Sequence, residues 1–140
     1  MTEEVKTPKE RKKKKPTAYQ IISRAEKLLS NKENWGTGRY AADGHRTLDA
    51  YKPCPKGTKF CALGALMHSI NDHFIDRDLA ERRLHNALLT AIHETEPEAP
   101  CYSIIYFNDK QEYGYDTIIS GYRALKAKLK ANPKLVELPY

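Results

Sequence analysis

The sequence predicts an all-α fold: one compact domain of four principal helices. Three observations carry this. Apolar residues recur at three- and four-residue spacing in four separate segments. Each segment is bounded by residues that cap or break helices. The one short aromatic and β-branched stretch, Tyr102 to Phe107, has no convincing strand to pair with. At 140 residues the chain is long enough to bury a core without disulfide staples.

Thr17 is a suitable N-cap, with Ala18 opening the first helix. Ile21, Ile22, Ala25, Leu28 and Leu29 form its inner face, opposite Arg24 and Lys27, and Asn31 to Trp35 ends it. Residues 32–57, rich in Gly, Asp, Asn, Lys and Pro, predict a long ordered loop of the kind that carries function. Trp35, the only tryptophan, is its expected anchor. The second helix is predicted over Lys59 to Phe74 and is apolar on most sides, which makes it central. Gly64 inside it costs about 1 kcal/mol of helix propensity, and a close helix crossing is the expected compensation. Asp76 caps a third helix running to Thr95, with Leu79, Ala80, Leu84, Ala87, Leu88, Ala91 and Ile92 inward. Pro97 and Pro100 stop it. Tyr102 to Phe107 is extended or a short helix. The last helix spans Asp116 to Ala131 around Ile118, Ile119, Tyr122, Leu125 and Leu129, and a short apolar tail packs back on the body.

Net charge is +6, and residues 1–16 hold +4 of it, with seven basic against three acidic side chains. That segment offers almost no apolar surface besides Val5. It therefore predicts a disordered basic arm, residues 1–16, ahead of a helical domain, residues 17–140. No run approaches the ~20 apolar residues of a membrane span, and no secretory pattern opens the chain. Three cysteines, an odd number without an export signal, predict reduced thiols and a cytoplasmic setting.

Trp35-Gly36, Asp43-Gly44, Phe60-Cys61-Ala62-Leu63-Gly64-Ala65-Leu66 and Ile105-Tyr106-Phe107-Asn108-Asp109 follow one another before the final helix. In this order the chain resembles a family of small uncharacterised bacterial and phage proteins. These share an aromatic-Cys-x-x-Gly-Ala-Leu core and a late Asn-Asp. The likeness covers roughly residues 18–130. It implies an architecture and candidate residues (Trp35, Asp43, Gly44, Cys61, Gly64, Asn108 and Asp109), with no established activity.

Cys61, in the first turn of the second helix, is the candidate nucleophile, since a helix N-terminus favours thiolate and offers N–H groups to an oxyanion. His68 shares its face but stands about 10 Å along the axis at 1.5 Å per residue, beyond hydrogen-bond reach. His45 is the better base, with Asp43, Asn108 or Asp109 to orient it. The plainer reading makes Cys61 a small core side chain, and Asp43-Gly44 and Asn108-Asp109 turn and cap residues. Cys54, Cys61, His68 and Cys101 lack the short spacings of structural zinc, and Gly36-Thr37-Gly38 is too short for a phosphate loop. No metal and no cofactor is predicted.

Lys12, Lys13, Lys14 and Lys15 are dense enough to neutralise several phosphates without reading sequence. Arg123, Lys126, Lys130 and Lys134 extend such a surface along the last helix, unless they are merely its solvated face. The leading expectation is a small non-enzymatic binding or accessory protein contacting nucleic acid, non-specifically, or an acidic protein, with Trp35, Asp43 and Asn108 as further binding residues. The alternatives are a cysteine-dependent hydrolase or transferase using Cys61, and a phage-type protein that sequesters or inhibits a host factor.

Overall fold

The structure, a computed structural model, describes residues 15–71, 74, 76–95, 103–109 and 114–140. Five α-helices account for most of these residues: α1 (Ala18–Ser30), α2 (Ala62–Ile70), α3 (Arg77–Thr95), α4 (Ile104–Asn108) and α5 (Gly114–Ala131). The mainly helical prediction stands, but all-α is not accurate. The segment read as a loop carries a 3₁₀ turn, Lys32–Asn34, and two strands, β1 (Ala41–Asp43) and β2 (Arg46–Thr47). With β3 (Lys59–Phe60) these form an antiparallel sheet in the order β2-β1-β3.

The physical reason for the sheet is local. Gly44, with φ +60°, turns β1 into β2, so that Asp43 faces Arg46 and Ala42 faces Thr47. On its other edge β1 pairs Ala41 with Phe60. The apolar spacing assigns Phe60 to the second helix. Its backbone is instead taken by Gly36, whose N–H donates to the Phe60 carbonyl at 2.9 Å, and by β1. The helix therefore starts later, with Cys61 as its N-cap rather than in its first turn. It also ends earlier, at Asn71, which takes a positive φ of 54°.

Elsewhere caps and faces follow the pattern. Thr17 and Gln20 form a reciprocal capping box at α1. The Asp76 carboxylate receives the Leu79 N–H at 3.0 Å at the start of α3. Of the stretch Tyr102 to Phe107, Tyr102 lies outside the described residues, and the rest resolves in favour of a short helix, since Ser103 caps α4 through the Tyr106 N–H. The core is built from α1, α2, α3 and α5, with Ile21, Ile22, Leu66, Leu84, Leu88, Ile118 and Tyr122 fully buried. The close helix crossing expected at Gly64 occurs at Gly121, where an added Cβ would stand 2.4 Å from Ile92 Cγ1. Gly64 is small for a different reason: an added Cβ would lie 1.6 Å from the carbonyl oxygen of Tyr40. The loop passes directly over the helix there.

No helix among the described residues is long and apolar enough to cross a membrane. Residues 1–14, and with them most of the predicted basic arm, lie outside the described residues. Lys15 is half-buried and Pro16 is buried, and the Tyr140 hydroxyl donates to the Pro16 carbonyl at 3.0 Å.

Candidate functional site

Asn108 organises the site. It ends α4 and is 1% exposed, and three of its four side-chain hydrogen bonds go to other segments. Its Oδ1 receives the Trp35 indole N–H at 2.9 Å and the Ala62 backbone N–H at 2.8 Å. Its Nδ2 donates to the Gly36 carbonyl and to Asp109 Oδ1, each at 3.0 Å. Two pure donors on one side and two pure acceptors on the other leave the amide one orientation. Asp109 Oδ1 also receives the Gly38 N–H at 3.3 Å. Trp35 is held further by an edge-on contact with Tyr115, ring centroids 5.5 Å apart.

Helix α2 thus starts from two caps at once. Ala62, its first residue, donates to Asn108, and Gly64 donates to the Cys61 Sγ at 3.4 Å. Burial pushes the Cys61 thiol up from its ordinary value. The Gly64 and Leu63 N–H groups pull against that rise without cancelling it, and the charge of Asp109 adds to it. The dipole argument pointed to thiolate; desolvation of a side chain in a residue 5% exposed outweighs it.

Beside this knot lies a cavity of about 420 Å³. Cys61 and Leu63 of the α2 start, Ile104 and Ile105 of α4, and Tyr40 supply its apolar wall. Arg39 and Asp109 supply charges of opposite sign. Cys61 and Asp109, both singled out from sequence, therefore meet here. Asn108 lines the same cavity, and Trp35 stands behind it through Asn108. His45 does not line it: it lies exposed in the β1–β2 turn. Asp43 is turned to Arg46, 3.3 Å away on the same hairpin. His68 faces elsewhere, with Nδ1 2.9 Å from the Ala50 carbonyl. Sequence reasoning missed Arg39, Tyr40, Thr47, Ile104 and Ile105 in this role. They come from a loop, a two-residue strand and a five-residue helix, each too short to show a face.

A second concavity, an open groove of about 800 Å³, lies between the start of α1 and the segment after α5. Arg83, Lys130 and Lys134 line it, with Glu137 as its acidic residue and Tyr19 and Tyr140 as its aromatic ones. Arg83 carried no signal in the sequence; Tyr140 belongs to the apolar tail expected to pack back on the body, and that return brings both beside Lys130. Of the other predicted cations, Arg123 and Lys126 approach Glu26 at 3.7 and 4.0 Å and are partly neutralised. Lys12, Lys13 and Lys14 lie outside the described residues. Among the described residues no group of three or more His, Cys, Asp or Glu side chains is placed to hold a metal ion.

Neither the curated proteins nor the solved structures contain a match to this chain. A family model does match, over residues 13–126, a span that takes in both the Asn108 knot and the cavity. The chain belongs to the family of unknown function DUF6197.

Proposed function

We propose that this chain is a non-enzymatic binding protein that contacts nucleic acid, without reading its sequence, through the basic segment 1–16 and the groove beside it. The observation that carries this reading is the Tyr140–Pro16 hydrogen bond of 3.0 Å. It seats the end of a segment bearing +4 at the edge of a groove lined by Arg83, Lys130 and Lys134. Cations in series, with tyrosines beside them, suit a phosphate backbone and its bases.

Support against catalysis comes from the other site. Its thiol is raised by burial, and the imidazole that would take its proton, His45, is outside the cavity. A cysteine-dependent hydrolase or transferase draws on one observation only, that Cys61 and Asp109 border one cavity.

The test is fluorescence anisotropy with a single-stranded oligonucleotide across a salt series, on the full chain and on a chain lacking residues 1–14. Affinity should fall steeply between about 50 and 200 mM salt and drop again on deletion. The thermal midpoint reports that the body is intact. Binding indifferent to salt would overturn the reading. Absence of binding at low salt would also overturn it and redirect the cations to an acidic protein surface.

A further inference from the structure

The cavity beside Asn108 shares no lining residue with the cationic groove and asks for a different ligand. Its floor is apolar, from Leu63 and Ile104, which are 7% and 0% exposed, and from the Cys61 thiol. Its mouth carries Ile105 and Tyr40, large apolar side chains left 44% and 46% exposed. Two full charges of opposite sign border it, the Arg39 guanidinium and the Asp109 carboxylate. Among the described residues these form no ion pair with each other or with any other group. Arg39 makes one long contact to the Gly44 carbonyl at 3.5 Å. Asp109 Oδ1 already receives the Gly38 N–H and Asn108 Nδ2.

We propose that this cavity binds a small zwitterion with an apolar side chain, of the dipeptide or amino-acid type. In this arrangement the carboxylate lies toward Arg39, the ammonium toward Asp109 and the side chain against Leu63, Ile104 and Ile105. A singly charged ligand would meet one of these exposed wall charges with a partner and a neutral one neither; a zwitterion pairs each. Asn108 contributes position only. All four of its hydrogen-bonding sites are engaged, so it holds Asp109 still and leaves the carboxylate as the recognising group. The volume, about 420 Å³, lies within the range of small-ligand pockets.

Isothermal titration calorimetry with leucyl-leucine, with leucine, and with N-acetyl-leucyl-leucine amide tests this on the full chain. Saturable binding of leucyl-leucine or leucine, and a loss of about tenfold or more for the doubly capped peptide, is expected. Arg39→Gln and Asp109→Asn should each weaken the zwitterion by a similar factor and leave the capped peptide unchanged. Arg39 is exposed, so its variant should keep the fold, and its unchanged thermal midpoint checks this. Equal binding of capped and uncapped peptides would overturn the proposal. So would an absence of saturable heat with either zwitterion at millimolar concentration, or zwitterion affinity that survives Arg39→Gln.

Discussion

Gly64 of α2 lies directly beneath the carbonyl of Tyr40, so close that a single added methyl would overlap the oxygen at 1.6 Å. The contact fixes the height at which the loop crosses the helix. It also places Tyr40 at the cavity mouth, with its N-terminal neighbour Arg39 on the wall.

Gly64→Ala should therefore destabilise the protein, although alanine is the better helix former by about 1 kcal/mol. The obstruction is backbone and cannot swing aside, so a net loss of about 3 kcal/mol is expected in urea denaturation. Gly44→Ala is the control. Its added Cβ meets nothing, and only the strain of φ +60° opposes it, about 1 kcal/mol.

Asn108→Ala should cost about 3 kcal/mol, since it strands the half-buried Trp35 indole N–H and the buried Ala62 N–H. Asn108→Asp tests the amide's direction. It would place a carboxylate oxygen against Asp109 and the Gly36 carbonyl, where the amide now donates. The Asp variant should be unstable at pH 7 and recover part of its stability near pH 4, as protonation restores one donor. Equal urea midpoints at the two pH values would refute that orientation.

Cys61 should react with a small alkylating agent at pH 7 far more slowly than Cys54, which is half-buried at the surface. Its role as the cap of α2 predicts an order among substitutions. Cys61→Ser, whose hydroxyl is the stronger acceptor for the Gly64 N–H, should stay within about 1 kcal/mol of the parent. Cys61→Ala should lose about 1–2 kcal/mol, from cap and packing together. Alkylation of Cys61 faster than Cys54 in the folded protein would revive the catalytic reading.

Stability should fall at alkaline pH. Burial raises the thiols of Cys54 and Cys61 above 9.0, and the phenols of Tyr115, Tyr122 and Tyr140 above 10.0. Tyr51 is pushed up to about 12, by burial first and by Glu81 and Asp78 next. Each group holds its proton more tightly folded than unfolded. Its contribution is complete below the unfolded value and is lost as pH climbs through the folded one. Urea midpoints should be flat up to about pH 8 and then decline from about pH 9 onward. Tyr122→Phe should blunt the upper part of this decline. At pH 7 it should cost about 1 kcal/mol for the lost 2.6 Å bond to the Ala62 carbonyl.

Helix periodicity made α1, α3 and α5 legible nearly to the residue, because each presents three or more turns of one-sided burial. The sheet was not legible: strands of two or three residues show no alternation, and their pairing is set by the Gly44 turn and by Phe60. The same limit applied to the site. Cys61, Asn108 and Asp109 stood out as chemically distinctive types, and the fold brings them together. His45 was chosen for its chemistry, and no local signal tells that its hairpin points it to solvent. Arg39 and Tyr40 owe their place to the Gly64 contact, a long-range relation that leaves no trace in the pattern around them.

The Asn108–Ala62 bond has a consequence in time as well as in space. The side chain that receives the first N–H of α2 is encoded 46 residues after it. On the ribosome, α2 must emerge with that end open and with Cys61 not yet walled in by α4. A nascent chain halted before residue 108 should carry a thiol that reagents reach freely. Release of the finished chain should close that window, so labelling of stalled chains of increasing length would date the moment at which the site is built.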